Sequence, residues 1–121
     1  MKSTDKGLKR ILKAFTYSFD GFKSAFKSEE ALRQETFLCI ILFIISLLLK
    51  ITYIEKLLLI SSLFLIILME LVNTAIEVVI DRISEDYHIL SKKAKDIGSL
   101  LVLIAFLYTA IIWLTIILKN Y

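Results

Sequence analysis

Glu70, Asn73 and Glu77 stand at i, i+3 and i+7 within MELVNTAIEVVIDR, residues 69–82. On an α-helix that spacing lines them along one stripe, and Asp81 extends it by another turn. Between Leu57 and Ile80 no other ionisable side chain occurs. A carboxylate in a membrane span costs at least about 2 kcal/mol, so such groups face a bundle interior or a watery cavity and pair there. Three chemistries are open to the stripe: proton abstraction, binding of a hard cation, and proton or ion conduction.

Depth bears on the choice. With the cytoplasmic boundary near Asp81, Glu77 sits roughly 6 Å inside it and Glu70 roughly 16 Å inside, at 1.5 Å rise per residue. A site there meets both a water-soluble molecule from the cytoplasm and a lipid headgroup. A conduction pathway would more naturally carry polar groups on to the far side, and beyond Glu70 the span offers only Ser61 and Ser62.

Two further segments supply complementary groups. SEDYHILSKKAKDIGS, residues 84–99, brings Lys92, Lys93 and Lys95 beside Asp96. Lysines there can hold polyphosphate, and carboxylates can hold Mg²⁺, a cation usually bound by one or two carboxylates plus substrate phosphates. The plainer reading is a solvated basic loop, with His88 an ordinary loop residue. SEEALRQE, residues 28–35, adds Glu29, Glu30, Arg33 and Glu35. These read either as interfacial charges and helix-start acids, or as the source of a carboxylate that approaches Glu77 and completes a metal site.

The elements that must position these groups follow from composition. Of 121 residues 58% are hydrophobic and 22% charged, with no proline, three glycines, one cysteine and a mean hydropathy of +0.78. So apolar a chain must segregate its charge. Only Glu55, Lys56, Glu70 and Glu77 interrupt the stretches Thr36–Leu49 and Ile51–Ile80, and no charge lies between Ile97 and Leu118. The expectation is a single-domain, all-α integral membrane bundle over residues 1–121, with transmembrane helices at 35–54, 57–80 and 97–118 and a cytoplasmic loop at 81–96.

Residues 1–34 differ. Leu8, Ile11, Leu12, Phe15, Phe19, Phe22 and Phe26 recur at helical spacing while Lys9, Arg10, Lys13, Asp20, Lys23 and Lys27 fill the other face. This predicts an amphipathic helix, interrupted around Asp20-Gly21, that either lies in the headgroup plane of an anionic leaflet or packs on its own bundle. Eight Lys or Arg fall in residues 1–34, two in 50–56, four in 81–96 and one after Leu118. The positive-inside rule therefore puts the N-terminus and second loop in the cytoplasm, and the first loop and C-terminus outside. Trp113, Tyr53 and Tyr121 then read as outer belt aromatics. Cys39, being alone, can form no intrachain disulfide. No signal peptide is expected, the chain reading as mature from Met1. A net charge of +3 is too mild to point to nucleic acid, and both glycine-rich nucleotide signatures are absent.

The sequence resembles the small prokaryotic diacylglycerol kinases. The likeness covers nearly the whole chain, from RILKAFTYSFDG through ALRQE, LLLISS and ELVNTAIEVVIDRISEDYHILSKKAKDIGS to the Ile-rich span holding Trp113. Its specific core is E-x-x-N-x-A-I-E-x-x-x-D followed by A-K-D. The resemblance implies a homotrimeric kinase of the bacterial inner membrane, with sites shared between subunits, an amphipathic surface helix and three transmembrane helices per subunit. It would transfer the γ-phosphoryl group of MgATP to 1,2-diacylglycerol, giving phosphatidic acid. By the same resemblance Glu70 is the general base, and Glu29 and Glu77 are metal ligands. Tyr17, Glu29, Glu77, Asp86, Tyr87, His88, Lys95 and Asp96 would hold the nucleotide and its Mg²⁺. Arg10, Ala31, Leu32, Arg33, Gln34, Glu35, Lys56, Glu70, Asn73, Ser99 and Trp113 would line the lipid's place.

Three other readings stand beside this one. An undecaprenol kinase shares E-x-x-N-T-A-I-E, whereas ALRQE and DRISEDYHILS look closer to the diacylglycerol branch. A small oligomeric transporter or proton pathway would give flux across sealed vesicles without ATP consumption. A non-enzymatic anchor would use the stripe only to glue helices, so that Glu70→Ala and Glu77→Ala would disturb assembly.

Overall fold

The structure, a computed structural model, describes residues 6–121. Four helices follow one another: α1 (Leu8–Ser28), α2 (Glu30–Leu48), α3 (Tyr53–Ile83) and α4 (Ile89–Asn120). No strand occurs among the described residues. α2, α3 and α4 are each long and apolar enough to cross a membrane, so the expected all-α membrane bundle with three spanning helices is what the chain forms. The part of the expected N-terminal region before Lys6 lies outside the described residues.

α3 organises the bundle. It packs most extensively on α4, then on α2, and α1 touches α2 and α3. At 31 residues α3 is roughly 46 Å long, well beyond the ~30 Å of hydrocarbon it has to cross. The surplus of α3 and α4 extends their helices past the apolar stretches at the end of the bundle where Glu77 and Lys95 lie. Only Ser84–His88 separates them there, a far shorter connection than the sequence pattern of 81–96 suggests. His88 makes this possible by capping α4, its Nδ1 accepting the Leu90 backbone N–H at 3.1 Å.

The opposite end departs from expectation for a similar reason. The sequence pattern carries the first span to residue 54, yet α2 stops at Leu48 and the chain turns extended at Leu49. Thr52 instead starts α3 with a capping box. Its hydroxyl accepts the Glu55 N–H at 3.2 Å, and Glu55 Oε1 accepts the Thr52 N–H at 3.1 Å. Two orphan donors are thereby satisfied, which fixes the helix start. Glu55 also accepts from Lys119 Nζ at 3.1 Å and Asn120 Nδ2 at 3.0 Å, tying the end of α4 to the start of α3. Tyr121 Oη accepts the Lys50 N–H at 3.1 Å beside them.

In the middle of the bundle Cys39, Leu63, Ile66 and Ala105 form the core, the small Cys39 thiol also donating to the Leu63 carbonyl of α3 at 3.8 Å. Trp113 is a correction. Its indole does not sit as a belt aromatic but packs against this core and donates Nε1–H to Ser62 Oγ at 3.1 Å. In apolar surroundings an indole N–H needs an acceptor, and α3 supplies one. Thr109 Oγ1 donates to the Ser62 carbonyl at 3.2 Å in the same layer. Tyr53 and Tyr121 remain exposed at their end.

α1 runs unbroken through Gly21, contrary to the expected interruption. One interior glycine costs a helix only about 1 kcal/mol, too little to break it. None of its residues is buried. The rings of Phe22 and Phe26 stack with centroids 5.8 Å apart, while Leu8, Phe15 and Phe19 stay uncovered by the chain's own spans.

Thr52→Ala is expected to cost about 1 kcal/mol of stability through the lost cap. Glu55→Ala, which strips an acceptor from Thr52, Lys119 and Asn120 together, should lower the thermal midpoint in detergent further. Neither should change the activity discussed below, because both sites lie at the far end of α3 from Glu77.

Candidate active site

Glu70 is 5% exposed on the face of α3 turned into the bundle, with buried Thr74 one turn on. An acid from α2, Glu35, lies close enough to interact with it, and Glu35 Oε2 is itself buried with no hydrogen-bond partner among the described residues. Glu77, two turns along α3, lies within electrostatic range of Glu29, Lys95, Asp81 and Glu70. Carboxylates from α2 and α3 and a lysine from α4 therefore converge.

Each arrives by a local device. Glu29 occupies the joint between α1 and α2 as the N-cap of α2, with extended backbone (φ −110°, ψ 109°), and its N–H donates to the Ala25 carbonyl at 2.9 Å. Arg33 clamps the joint, its guanidinium donating to the carbonyls of Phe26 and Lys27, each at 2.9 Å. These carbonyls belong to the last turn of α1, which has no helical partner for them and carries partial negative charge that a cation satisfies. Lys95 reaches α3 because α4 begins at Ile89 rather than at the apolar boundary. It pairs with Asp81 at 2.9 Å, while Lys92 pairs with Asp96 at 2.6 Å. All four side chains are between 42% and 63% exposed, so these pairs hold little stability and exchange readily for another anion or cation.

Two grooves lie on the same half of the bundle, lined by neighbours of the cluster and not by its own residues. One, of about 380 Å³, lies between α1 and α3 and is lined by Ser18, Phe22 and Ser28 on one side and Leu71, Thr74 and Val78 on the other. The second, of about 460 Å³, follows the start of α4 past Tyr87, Lys92, Lys93 and Asp96.

Of the residues singled out in the sequence, Glu29, Glu35, Glu70, Glu77 and Lys95 are brought together. Asn73 lies on the same stripe with its side-chain oxygen buried. Tyr87, His88, Asp96 and Ser99 sit at or near the start of α4, with Asp86 held by its N–H donating to Ser84 Oγ. Tyr17 and Arg10 are exposed on α1. Leu32 is fully buried and acts as packing, Ala31 is exposed beside it, and Gln34 donates to Glu30 at 3.3 Å. Lys56 and Trp113 are not part of the cluster. Lys56 is roughly 21 Å from Glu70 along α3, and its Nζ closes the end of α2 by donating to the Leu47 carbonyl at 2.9 Å. Trp113 is bonded to Ser62, roughly 12 Å from Glu70 along the helix.

Of the acids in SEEALRQE it is Glu29 that comes within range of Glu77; sequence reasoning missed the meeting of Glu35 with Glu70 and the clamp made by Arg33. The position of Glu35 immediately before the uncharged run from Thr36 was the available signal. Among the described residues no group of three or more His, Cys, Asp and Glu is placed to hold a metal by itself. A cation here would need donors from another molecule.

The comparisons with known proteins agree with this picture. Residues 16–117 match the family model described as prokaryotic diacylglycerol kinase. The chain is 40% identical over 121 residues to the diacylglycerol kinase of Escherichia coli K12, covering all of this chain and 99% of that one. It is 46% identical over 107 residues to that of Haemophilus influenzae, covering 88% and 91%. With the Pseudomonas aeruginosa diacylglycerol kinase the identity is 43% over 112 residues, covering 93% and 91%. This helical membrane protein with its converging carboxylates is a kinase. The chain belongs to the prokaryotic diacylglycerol kinase family.

The clamp at the joint is testable on its own. Arg33→Ala should loosen the last turn of α1, so that trypsin cuts after Lys27 faster than in wild type while the helix content measured by circular dichroism stays the same.

Proposed function

We propose that the protein phosphorylates 1,2-diacylglycerol with MgATP, producing phosphatidic acid, and that Glu70 takes the proton from the lipid hydroxyl. One observation carries the reading: a carboxylate buried to 5% exposure in a spanning helix, with further acids and a lysine leading from it to the polar end of the bundle. In the transfer, the hydroxyl oxygen bonds to the γ-phosphorus, the bond to the β-phosphate oxygen breaks to release ADP, and the hydroxyl proton passes to Glu70. Such a transfer needs alignment and charge neutralisation more than covalent chemistry from the protein.

The donor set suits Mg²⁺. Glu29 and Glu77 are two carboxylates in each other's field, and this ion is commonly held by one or two carboxylates with substrate phosphates and water completing the shell. Bound there, it would neutralise phosphate charge. Lys95 and Asp96 exchange their present partners, Asp81 and Lys92, for the nucleotide, with Tyr17, Asp86, Tyr87 and His88 around it. The groove between α1 and α3 receives the lipid glycerol beside Thr74, and Asn73 and Glu35 hold the reacting end. Lys56 and Trp113, with Ser99 and Arg10, take no part in the transfer itself and would meet the lipid only at its periphery.

We further propose a homotrimer in the bacterial inner membrane, with the N-terminus and active site on the cytoplasmic side. At most 28% of the apolar window of any spanning helix is buried within one chain, which leaves ample helix surface for other copies. The curated relatives are named for diacylglycerol, which favours that lipid over undecaprenol.

The test is a defined lipid panel with labelled ATP and purified protein. Transfer to diacylglycerol well above transfer to undecaprenol is expected. Preference for the polyprenol would reassign the substrate, and ion flux across sealed vesicles without any lipid phosphorylation would remove the kinase reading of the site. Asp81→Asn provides a second check. It should leave the thermal midpoint essentially unchanged, because the pair is half exposed, yet shift the KM for ATP by freeing Lys95.

A further inference from the structure

Gly98 is buried where α4 crosses the carboxylate stripe of α3. A Cβ built on it would fall on the side-chain oxygen of Asn73, with Asn73 Cγ at 3.2 Å and nothing else nearer than Ile76 Cδ1 at 3.6 Å. Gly21, the other helical glycine, faces open space, and its φ, like that of Gly98, is ordinary. Gly98 is therefore required by contact and not by backbone conformation. The same oxygen of Asn73 is buried and has no hydrogen-bond partner among the described residues. No polar partner holds that oxygen, and the surface that limits where it can sit is the bare Cα of residue 98.

We infer that Gly98 is a positioning residue: the side chain it lacks is the space in which the Asn73 amide sits, one turn from Glu70 and one turn from Glu77. The inference deepens the kinase reading and rests on it for its kinetic consequence. Lys95, three residues earlier on the same helix, is held separately by its pair with Asp81. An alanine at position 98 either displaces the amide toward the reacting groups or pushes α4 away from α3.

Gly98→Ala, Asn73→Ala and the double variant test this in the full chain. Alone, Gly98→Ala is expected to lower kcat about tenfold or more, since misplacing a group by about 1 Å can cost roughly a hundredfold. The KM for MgATP should move much less. With Asn73→Ala already present, adding Gly98→Ala should change kcat by less than about threefold, as expected for two residues acting through one contact. The thermal midpoint should reverse sign. Gly98→Ala lowers it when Asn73 is present and raises it when Asn73 is truncated, because alanine otherwise favours a helix over glycine.

Equal effects of Gly98→Ala in the two backgrounds, on kcat or on the midpoint, would overturn the inference. Should Gly98→Ala alone fail to fold, the double variant is expected to fold, and a double variant unfolded beside a folded Asn73→Ala would equally overturn it. A wild type without ATP turnover would remove the kinase reading but not the contact, which the midpoints still decide.

Discussion

A buried carboxylate has to be met by other groups of the protein, and in this chain that requirement falls on α3 at two places, one at its capped start and one inside the span. Glu55 and Glu70 are buried to nearly the same degree, 7% and 5% exposed, but their surroundings are opposite. Glu55 is met by donors from Thr52, Lys119 and Asn120, which is how a buried acid is made a structural part. Glu70 is met by another acid, Glu35. Two acids placed together away from water repel when both are charged, and such pairs are commonest at reactive sites.

The rest of the architecture serves this asymmetry. α3 and α4 are longer than a bilayer requires, and their surplus turns form the wall on which Asp81 and Lys95 face each other. The joint between α1 and α2, clamped by Arg33, brings Glu29 within the field of Glu77. At the other end the capping box and the Lys119 and Asn120 contacts fix where α3 starts and α4 ends. Phosphoryl transfer as proposed asks for this kind of arrangement: rigid helices, a few charges in register and access from both water and lipid.

Much of this was legible in the sequence. Segregated charge gave the three spans, and the spacing of Glu70, Asn73 and Glu77 gave a single functional face, because helical periodicity is a local property. The resemblance supplied the family. Helix ends were less legible, since they are decided by caps: Thr52 ended any continuation of α2 into residues 51–54, and His88 started α4 eight residues before its apolar run. Trp113 was misread because an aromatic near a span end suits either an interface or a bundle, and only the facing Ser62 on α3 decides between them. The pairing of Glu35 with Glu70 and the space at Gly98 depend on how two helices cross, a relation that no spacing within one helix contains.

The most direct measurement is transfer of labelled γ-phosphate from ATP to diacylglycerol by Glu70→Gln, a replacement that keeps the size of the side chain and removes its capacity to take a proton. Loss of transfer, with ATP binding and thermal midpoint retained, is expected if Glu70 is the base. Turnover close to wild type in that variant would contradict the role assigned to Glu70 and, with it, the mechanism proposed for the stripe.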